Sequence, residues 1–327
     1  MSFLVRRLGF YVVAVWVAIT VNFMIPRVMP GNAVDTMLTR FPQLNASSLR
    51  ALEAEFGAHP QGSIVSQYFT YLGNLAHGNL GLSVSQYPSK VTTILGQTLP
   101  WTLMLVGTAT IISFLLGTLL GVIAAWRRGG WLDRALPAFT FLQATPYFFL
   151  ALIVIQLFAL TWRIFPFGQG YALGLQPGWN WAFISSAIWH SILPALTIVF
   201  TSIGGWMLQM RNVMLTTISE DYILVAQAKG LSPRRVMFTY GARNAILPNI
   251  AGFALSLGFV VAGALVMEIV FSYPGVGLTL YNAVTSNDYP LLQGIFLVIS
   301  LAVLLASLLA DLVYVFADPR ARTRAAY

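Results

Sequence analysis

From Thr98 to Trp126 no residue carries a charge, and about 20 mainly apolar residues in a helix suffice to cross a bilayer. Five further segments meet that length criterion, so the six lie at roughly 8–26, 98–125, 136–162, 191–211, 246–271 and 291–316. The chain has 327 residues, of which 57% are hydrophobic and 9% charged. A soluble domain carries about 25% charged residues. The reading is an all-α integral membrane protein with six transmembrane helices. Absence of cysteine excludes disulfides, thiolate metal sites and cysteine catalysis.

Within the second segment, Gly117 and Gly121 stand at GxxxG spacing, which permits close helix contact in lipid, although glycine is common in such helices. Pro146 and Pro194 fall inside the third and fourth segments, where neighbours can satisfy the freed carbonyls of a kink. The first segment follows Arg6 and Arg7 but is too long for a signal-peptide core and lacks a small-x-small cleavage pattern. It reads as a retained helix.

Basic residues orient the segments. Thirteen of the 18 Lys and Arg fall at the N-terminus (Arg6, Arg7), after the second segment (Arg127, Arg128, Arg134), after the fourth (Arg211, Lys229, Arg234, Arg235, Arg243) and in the tail (Arg320, Arg322, Arg324). Arg27, Arg40, Arg50, Lys90 and Arg163 fall on the other side. The positive-inside rule then puts both termini in the cytoplasm. The same placement accounts for the net charge of +8 without nucleic acid, which would require a soluble basic face.

The expected organisation is an N-terminal helix (1–30), an outer region (31–97), a core five-helix domain (98–320) and a cytoplasmic tail (321–327). In the long outer region, Leu49, Leu52 and Phe56 share one helical face, a second short helix runs from Val65 to His77 before Gly78, and Pro88 and Ser89 open a third with Val91, Ile94 and Leu95 on one face. Between Arg163 and His190 the chain is aromatic, with Phe165, Phe167, Tyr171, Trp179, Trp181, Phe183 and Trp189 suited to the headgroup level. His59, His77 and His190 have no partner at ligand spacing, so no metal site is expected.

The stretch of about 212–245 is polar and basic, set between two apolar segments. Tyr222, Ala226 and Gly230 recur at i, i+4 and i+8 on a helix continuing from the fourth segment, and Gly230 with Leu231 forms its closing turn. Ser232 and Pro233 then form an N-cap and N1 pair opening a second short helix. Arg234 and Arg235 lie in its first turn, where the macrodipole opposes them by about 0.3–1 kcal/mol each. An acidic partner or lipid headgroups would account for that placement; ordinary positive-inside charge is the alternative.

The run Asp221-Tyr222, Ala226, Ala228-Lys229-Gly230-Leu231-Ser232, then Arg243-Asn244-Ala245 and Leu247-Pro248, resembles the cytoplasmic EAA loop of permease subunits in ATP-binding-cassette importers, in the form carried by the dipeptide and oligopeptide family. The stretch between the glycine and the Leu-Pro pair is longer than in the general pattern, as is usual in that subfamily. The similarity extends over nearly the whole chain: Arg6-Arg7-Leu8, Met29-Pro30-Gly31, Arg128-Gly129 with Trp131-Leu132-Asp133-Arg134, Pro274-Gly275-Val276-Gly277, Asp288-Tyr289-Pro290 and Asp318-Pro319-Arg320 occur in the family's order.

The resemblance implies that the helix after Gly230 is a coupling helix held in a groove of a cytoplasmic ATPase. The candidate coupling residues are Asp221, Tyr222, Ala226, Ala228, Lys229, Gly230, Leu231, Ser232, Pro233, Arg234, Arg235 and Arg243. It implies a second homologous permease subunit, two ATPase subunits (or one fused), and an external substrate-binding protein, in the cytoplasmic membrane of a bacterium. ATP and Mg would be used by the partners, with no cofactor bound by this chain. Glu268, with Phe271, Pro274, Gly275 and Gly277, is the candidate for the translocation path or its gate; an interfacial carboxylate capping the following loop is the alternative.

No GxxxxGK[ST] phosphate cradle is present, nor HExxH or GxSxG. The expectation is a non-catalytic permease that converts ATPase closure into alternating access. A self-contained secondary transporter or channel would show an internal repeat and membrane-embedded charges for a coupling ion, and a membrane enzyme would show a catalytic cluster at one depth. The family includes importers of peptides, oligosaccharides and nickel; peptide leads by frequency.

Overall fold

Long apolar runs form long helices here, some of which take a proline in their interior. The computed structural model describes residues 2–28, 63–262 and 265–317. Its described helices are α1 (Ser2–Val28), α2 (Ile64–Ala76), α3 (Val91–Trp126), α4 (Trp131–Ala144), α5 (Tyr147–Thr161), α6 (Trp181–Ile218), α7 (Asp221–Ala228), α8 (Pro233–Ala245), α9 (Leu247–Ala262), α10 (Leu265–Val270), α11 (Val276–Thr285) and α12 (Tyr289–Ala317). Four helices are long and apolar enough to cross a membrane, and α4 with α5 and α8 with α9 bring the number to six if each bent pair is one span. The chain is an all-α membrane protein. The predicted helix around Leu49–Phe56, His59, and the Asp318-Pro319-Arg320 motif lie outside the described residues.

Several expected boundaries move, each for a local reason. Pro88 and Ser89 do not open a separate third helix: Val91–Trp126 is one run of 36 residues. Val91, Ile94 and Leu95 are buried as their shared face predicts. Pro100 sits inside this helix, and a wider π-helical turn follows at Leu103–Gly107, the kind of local adjustment that re-satisfies backbone groups freed by proline. At Pro146 the outcome is more than a kink. Thr145 is extended (φ −75°, ψ 131°), as residues before proline tend to be, and α4 and α5 are bent by 98°. Pro194, by contrast, is accommodated within an unbroken α6.

α6 also starts earlier than its apolar run. Asn180 Oδ1 accepts from Phe183 N at 2.8 Å, capping a helix of 38 residues. Trp181, Phe183, Trp189 and His190 therefore lie on a helix, and His190 Nδ1 is 2.7 Å from Ser186 O. The helix does not continue into Tyr222: turns at Ser219 and Glu220 separate α6 from α7.

The described residues divide into two units, 1–102 with 274–304, and 103–273 with 305 onward. In the first unit, Asn22 of α1 donates to Tyr71 Oη (3.1 Å) and Gln293 O (2.9 Å), and Gln293 Nε2 returns a bond to Asn22 O at 3.3 Å. Arg27 lies over the Phe23 ring, 3.5 Å from its centroid, and donates to Gln67 Oε1 at 2.9 Å. Buried Asp288 ties residues from distant parts of the sequence. It accepts from the Ser83 hydroxyl, from Ser85 N at 2.8 Å and from Ser85 Oγ at 2.7 Å, and its other oxygen accepts from Leu291 N in the first turn of α12 at 3.2 Å.

In the second unit α3 and α6 meet backbone to backbone. A Cβ on Gly117 would stand 2.8 Å from Ile203 O, and one on Gly121 2.6 Å from Met207 O. The GxxxG stripe is therefore a close contact. Thr197 and Thr201 turn their hydroxyls to carbonyls one turn back, at 2.9 and 3.0 Å, so the buried α6 face leaves these polar groups bonded. Asp133 joins α4 to α6: Oδ1 lies 2.5 Å from Arg211 Nε, and Oδ2 accepts from Gly129 N at 2.8 Å.

Candidate functional site

The polar stretch after α6 folds as a helical hairpin. α7 ends in a Schellman closure, in which the Leu231 N–H reaches Ala226 O (3.4 Å) and the Gly230 N–H reaches Gln227 O (2.9 Å). Gly230 takes φ +72°, a conformation costing a residue with a Cβ about 1–2 kcal/mol. Leu231 packs on a small core of Ile223, Ala226 and Val236. Ser232 is extended and occupies the N-cap position with Pro233 at N1, but its hydroxyl makes no capping bond. Its carbonyl instead accepts from Val236 N at 3.0 Å.

A wide turn at Val236–Ala242 follows, and Ala242 and Ala245 pack with Val122, Ala125, Met210 and Met214 at the ends of α3 and α6. Gly241 lies against the Met214 side chain, whose Cε would stand 2.5 Å from a Cβ there. Across the hairpin, Asn244 Nδ2 donates to Tyr222 Oη at 3.1 Å.

Most of the sequence-predicted coupling residues stand on one solvent-accessible hairpin. Asp221, Tyr222, Ala228, Lys229, Gly230, Ser232, Pro233, Arg234, Arg235 and Arg243 are exposed, while Ala226 is buried and Leu231 half-buried. Leu224, Val225 and Phe238 are also exposed on it, an apolar element that reading the charges alone had missed. Arg234 and Arg235 sit in the first turn of α8, as expected from Pro233.

The other predicted set is placed differently. Glu268 and Phe271 are buried in the second unit. There Phe271 O accepts from Gln169 N at 2.8 Å, and Gly168 lies so close that a Cβ would stand 2.5 Å from the same oxygen. Tyr273 follows, buried and 2.9 Å from Ser191 Oγ, and burial pushes its phenol up to about 12. Pro274, Gly275 and Gly277 belong to the first unit. Gly275 caps α11, and Val276 N donates to Thr102 Oγ1 at 2.8 Å.

None of these five lines a cavity found within the second unit. That cavity, of about 640 Å³, draws walls from α3, α4, α5, α6, α9 and α10. Thr110, Gln143, Tyr147, Ser202, Gln209 and Ser256 give it polar groups, and Trp206 and Phe259 give it aromatic surface. None of its described lining residues is acidic, basic or histidine. The signal in the sequence was a glutamine in each of two segments expected to cross the membrane, Gln143 in the third and Gln209 in the fourth. Among the described residues no group of three or more His, Cys, Asp or Glu could hold a metal ion.

Residues 117–323, which include this hairpin and most of the cavity wall, match the family model described as binding-protein-dependent transport system inner membrane component. The chain belongs to that family. It is 32% identical to the di/tripeptide transport system permease protein DppB of Pseudomonas aeruginosa, over 98% of this chain and 99% of the relative. It is 29% identical to the oligopeptide transport system permease protein AppB of Bacillus subtilis, over 91% and 92%. The dipeptide transport system permease protein DppB of Escherichia coli is 31% identical over 98% and 99%. The chain is thus a permease subunit of an ATP-binding-cassette importer, with several membrane spans.

Proposed function

We propose that this permease carries peptides across the cytoplasmic membrane of a bacterium, paired with a second, homologous permease and driven by two ATPase subunits docked at the α7–α8 hairpin. The hairpin is the observation that carries the docking reading. It presents Lys229, Arg234 and Arg235 beside exposed Leu224, Val225 and Phe238, and its fixed turn at Gly230 sets the angle between the two helices. Basic side chains with exposed apolar ones on the same hairpin suit a protein groove with acidic edges. Peptide as cargo is supported by relatives named as di/tripeptide, oligopeptide and dipeptide permeases. ATP and Mg are handled by the partners, and an external binding protein delivers the cargo.

In this reading the positive-inside side holds both termini, the Arg127–Arg134 turn and the hairpin. The segment from Glu268 to Gly277 acts as a gate by position: it carries a buried carboxylate and joins α10 to α11 through residues of unusual backbone, Ser272 having φ +47°. The hairpin's pack against α3 and α6 through Ala242, Ala245, Met210 and Met214 offers the route by which ATPase closure reaches the membrane helices.

The test is Gly230→Asp, which puts a Cβ and a negative charge at the turn. Expected is loss of ATP-driven peptide uptake with membrane insertion intact. Wild-type uptake by that variant would remove the hairpin from the coupling role.

A further inference from the structure

We propose that the cavity of the second unit is a cargo subsite in which the side-chain amides of Gln143 and Gln209 receive an uncharged peptide unit; this rests on the reading of the chain as a peptide-importing permease. At about 640 Å³, the cavity falls within the range of about 300–1,000 Å³ in which proteins enclose small ligands.

The wall offers amide and hydroxyl groups and no formal charge. A charged group lodged in a weakly polar surrounding without a counter-charge is strongly disfavoured, whereas a neutral amide needs only hydrogen-bond partners. A primary amide presents one acceptor oxygen and two N–H donors, so it can pair with both the C=O and the N–H of a peptide bond.

The wall is shaped around these groups. Gly205 leaves room for the Gln143 amide to lie across α6: a Cβ there would stand 2.9 Å from Nε2 and 3.3 Å from Oε1. Gln209 Nε2 is held by Pro248 O at 3.4 Å. Trp206 is fixed edge-on against Phe114, with centroids 5.4 Å apart at 86°, and Gly252 opposes its ring, a Cβ there lying 3.4 Å from Cζ3. Trp206 and Phe259 then supply apolar surface beside the amides, and the backbone of the cargo is what the amides read.

The same contacts connect the subsite to the hairpin. Pro248 and Asn249 lie in the first turn of α9, which follows α8 after Ile246, and Asn249 Nδ2 donates to Trp206 O at 3.4 Å and to Thr118 Oγ1 at 3.1 Å. A shift of α8 therefore reaches Trp206 and Gln209 through one residue pair.

The experiment reads charge selectivity in the assembled importer with its binding protein, reconstituted in vesicles. The probes are the tripeptides Ala-Ala-Ala, Ala-Glu-Ala and Ala-Lys-Ala. Gln143→Glu should lower uptake of Ala-Glu-Ala relative to Ala-Lys-Ala by roughly tenfold, and Gln143→Lys should reverse the preference, from like-charge repulsion at short range. Gly205→Ala, which displaces the Gln143 amide, should reduce uptake of all three. A structural role for Gln143 would depress every peptide equally and leave the ratio unchanged. Unchanged ratios in both charge variants, with wild-type uptake of the tripeptides intact, would overturn the subsite and leave the peptide function standing. Failure of the wild-type importer to carry any of the three peptides would overturn both.

Discussion

Single residues set the distances on which the helices of this permease depend. Gly117 and Gly121 act by what they lack, since α6 backbone occupies the volume a side chain would need. Gly121→Leu cannot be absorbed by a rotamer change, because the nearest atom is Met207 O and not the end of a flexible chain. The expected cost is at least the roughly 1–3 kcal/mol of core overpacking, seen as a lower Tm and loss of the monodisperse complex on size-exclusion chromatography. Wild-type behaviour would show that α3 and α6 do not meet there. The GxxxG spacing was visible in the sequence, but its partner surface on α6, around Ile203 and Met207, was not.

Between elements, polar clamps hold what apolar packing leaves free to slide. The Asp133–Arg211 contact joins the start of α4 to α6, with both side chains mostly shielded from water, at 12% and 21% exposure. Asp133→Asn retains an acceptor for Gly129 N and leaves Arg211 without its counter-charge. The expected loss is about 1–3 kcal/mol, the range for hydrogen bonds to charged groups and the groups they leave behind. It should appear as a lower thermal midpoint of the purified complex, and an unchanged midpoint would show the pair to be a surface contact of little weight. Trp131-Leu132-Asp133-Arg134 was conspicuous as a sequence motif; the structure supplies a physical task for its aspartate. The hairpin was more fully legible, because Gly230, Ser232 and Pro233 act on the backbone within a few positions of themselves. The 98° bend at Pro146 was underestimated because proline announces an interruption and neighbouring helices decide its angle.

For the whole molecule the outstanding quantity is orientation. The chain has no cysteine, so single introduced cysteines report topology without a background. Lys229→Cys should react with a membrane-impermeant maleimide only after permeabilisation, and Trp179→Cys, fully exposed just before the N-cap of α6, should react in intact spheroplasts. The reverse pattern would invert the proposed topology and with it the ATPase docking face.

Membrane class, helix content, family membership and the hairpin turn were determined by the sequence itself. Those properties depend on composition and on backbone preferences that act locally: apolar length sets a span, and a glycine at positive φ closes a helix. The tertiary structure alone decided where the polar groups of distant segments meet. Ser83 and Ser85 reach Asp288, Gln143 lies on Gly205, and the cavity gathers six helices around two glutamines. The reason is that each isolated polar residue in an apolar helix must find a partner, but which partner it finds is set by the packing of backbones that no local pattern encodes.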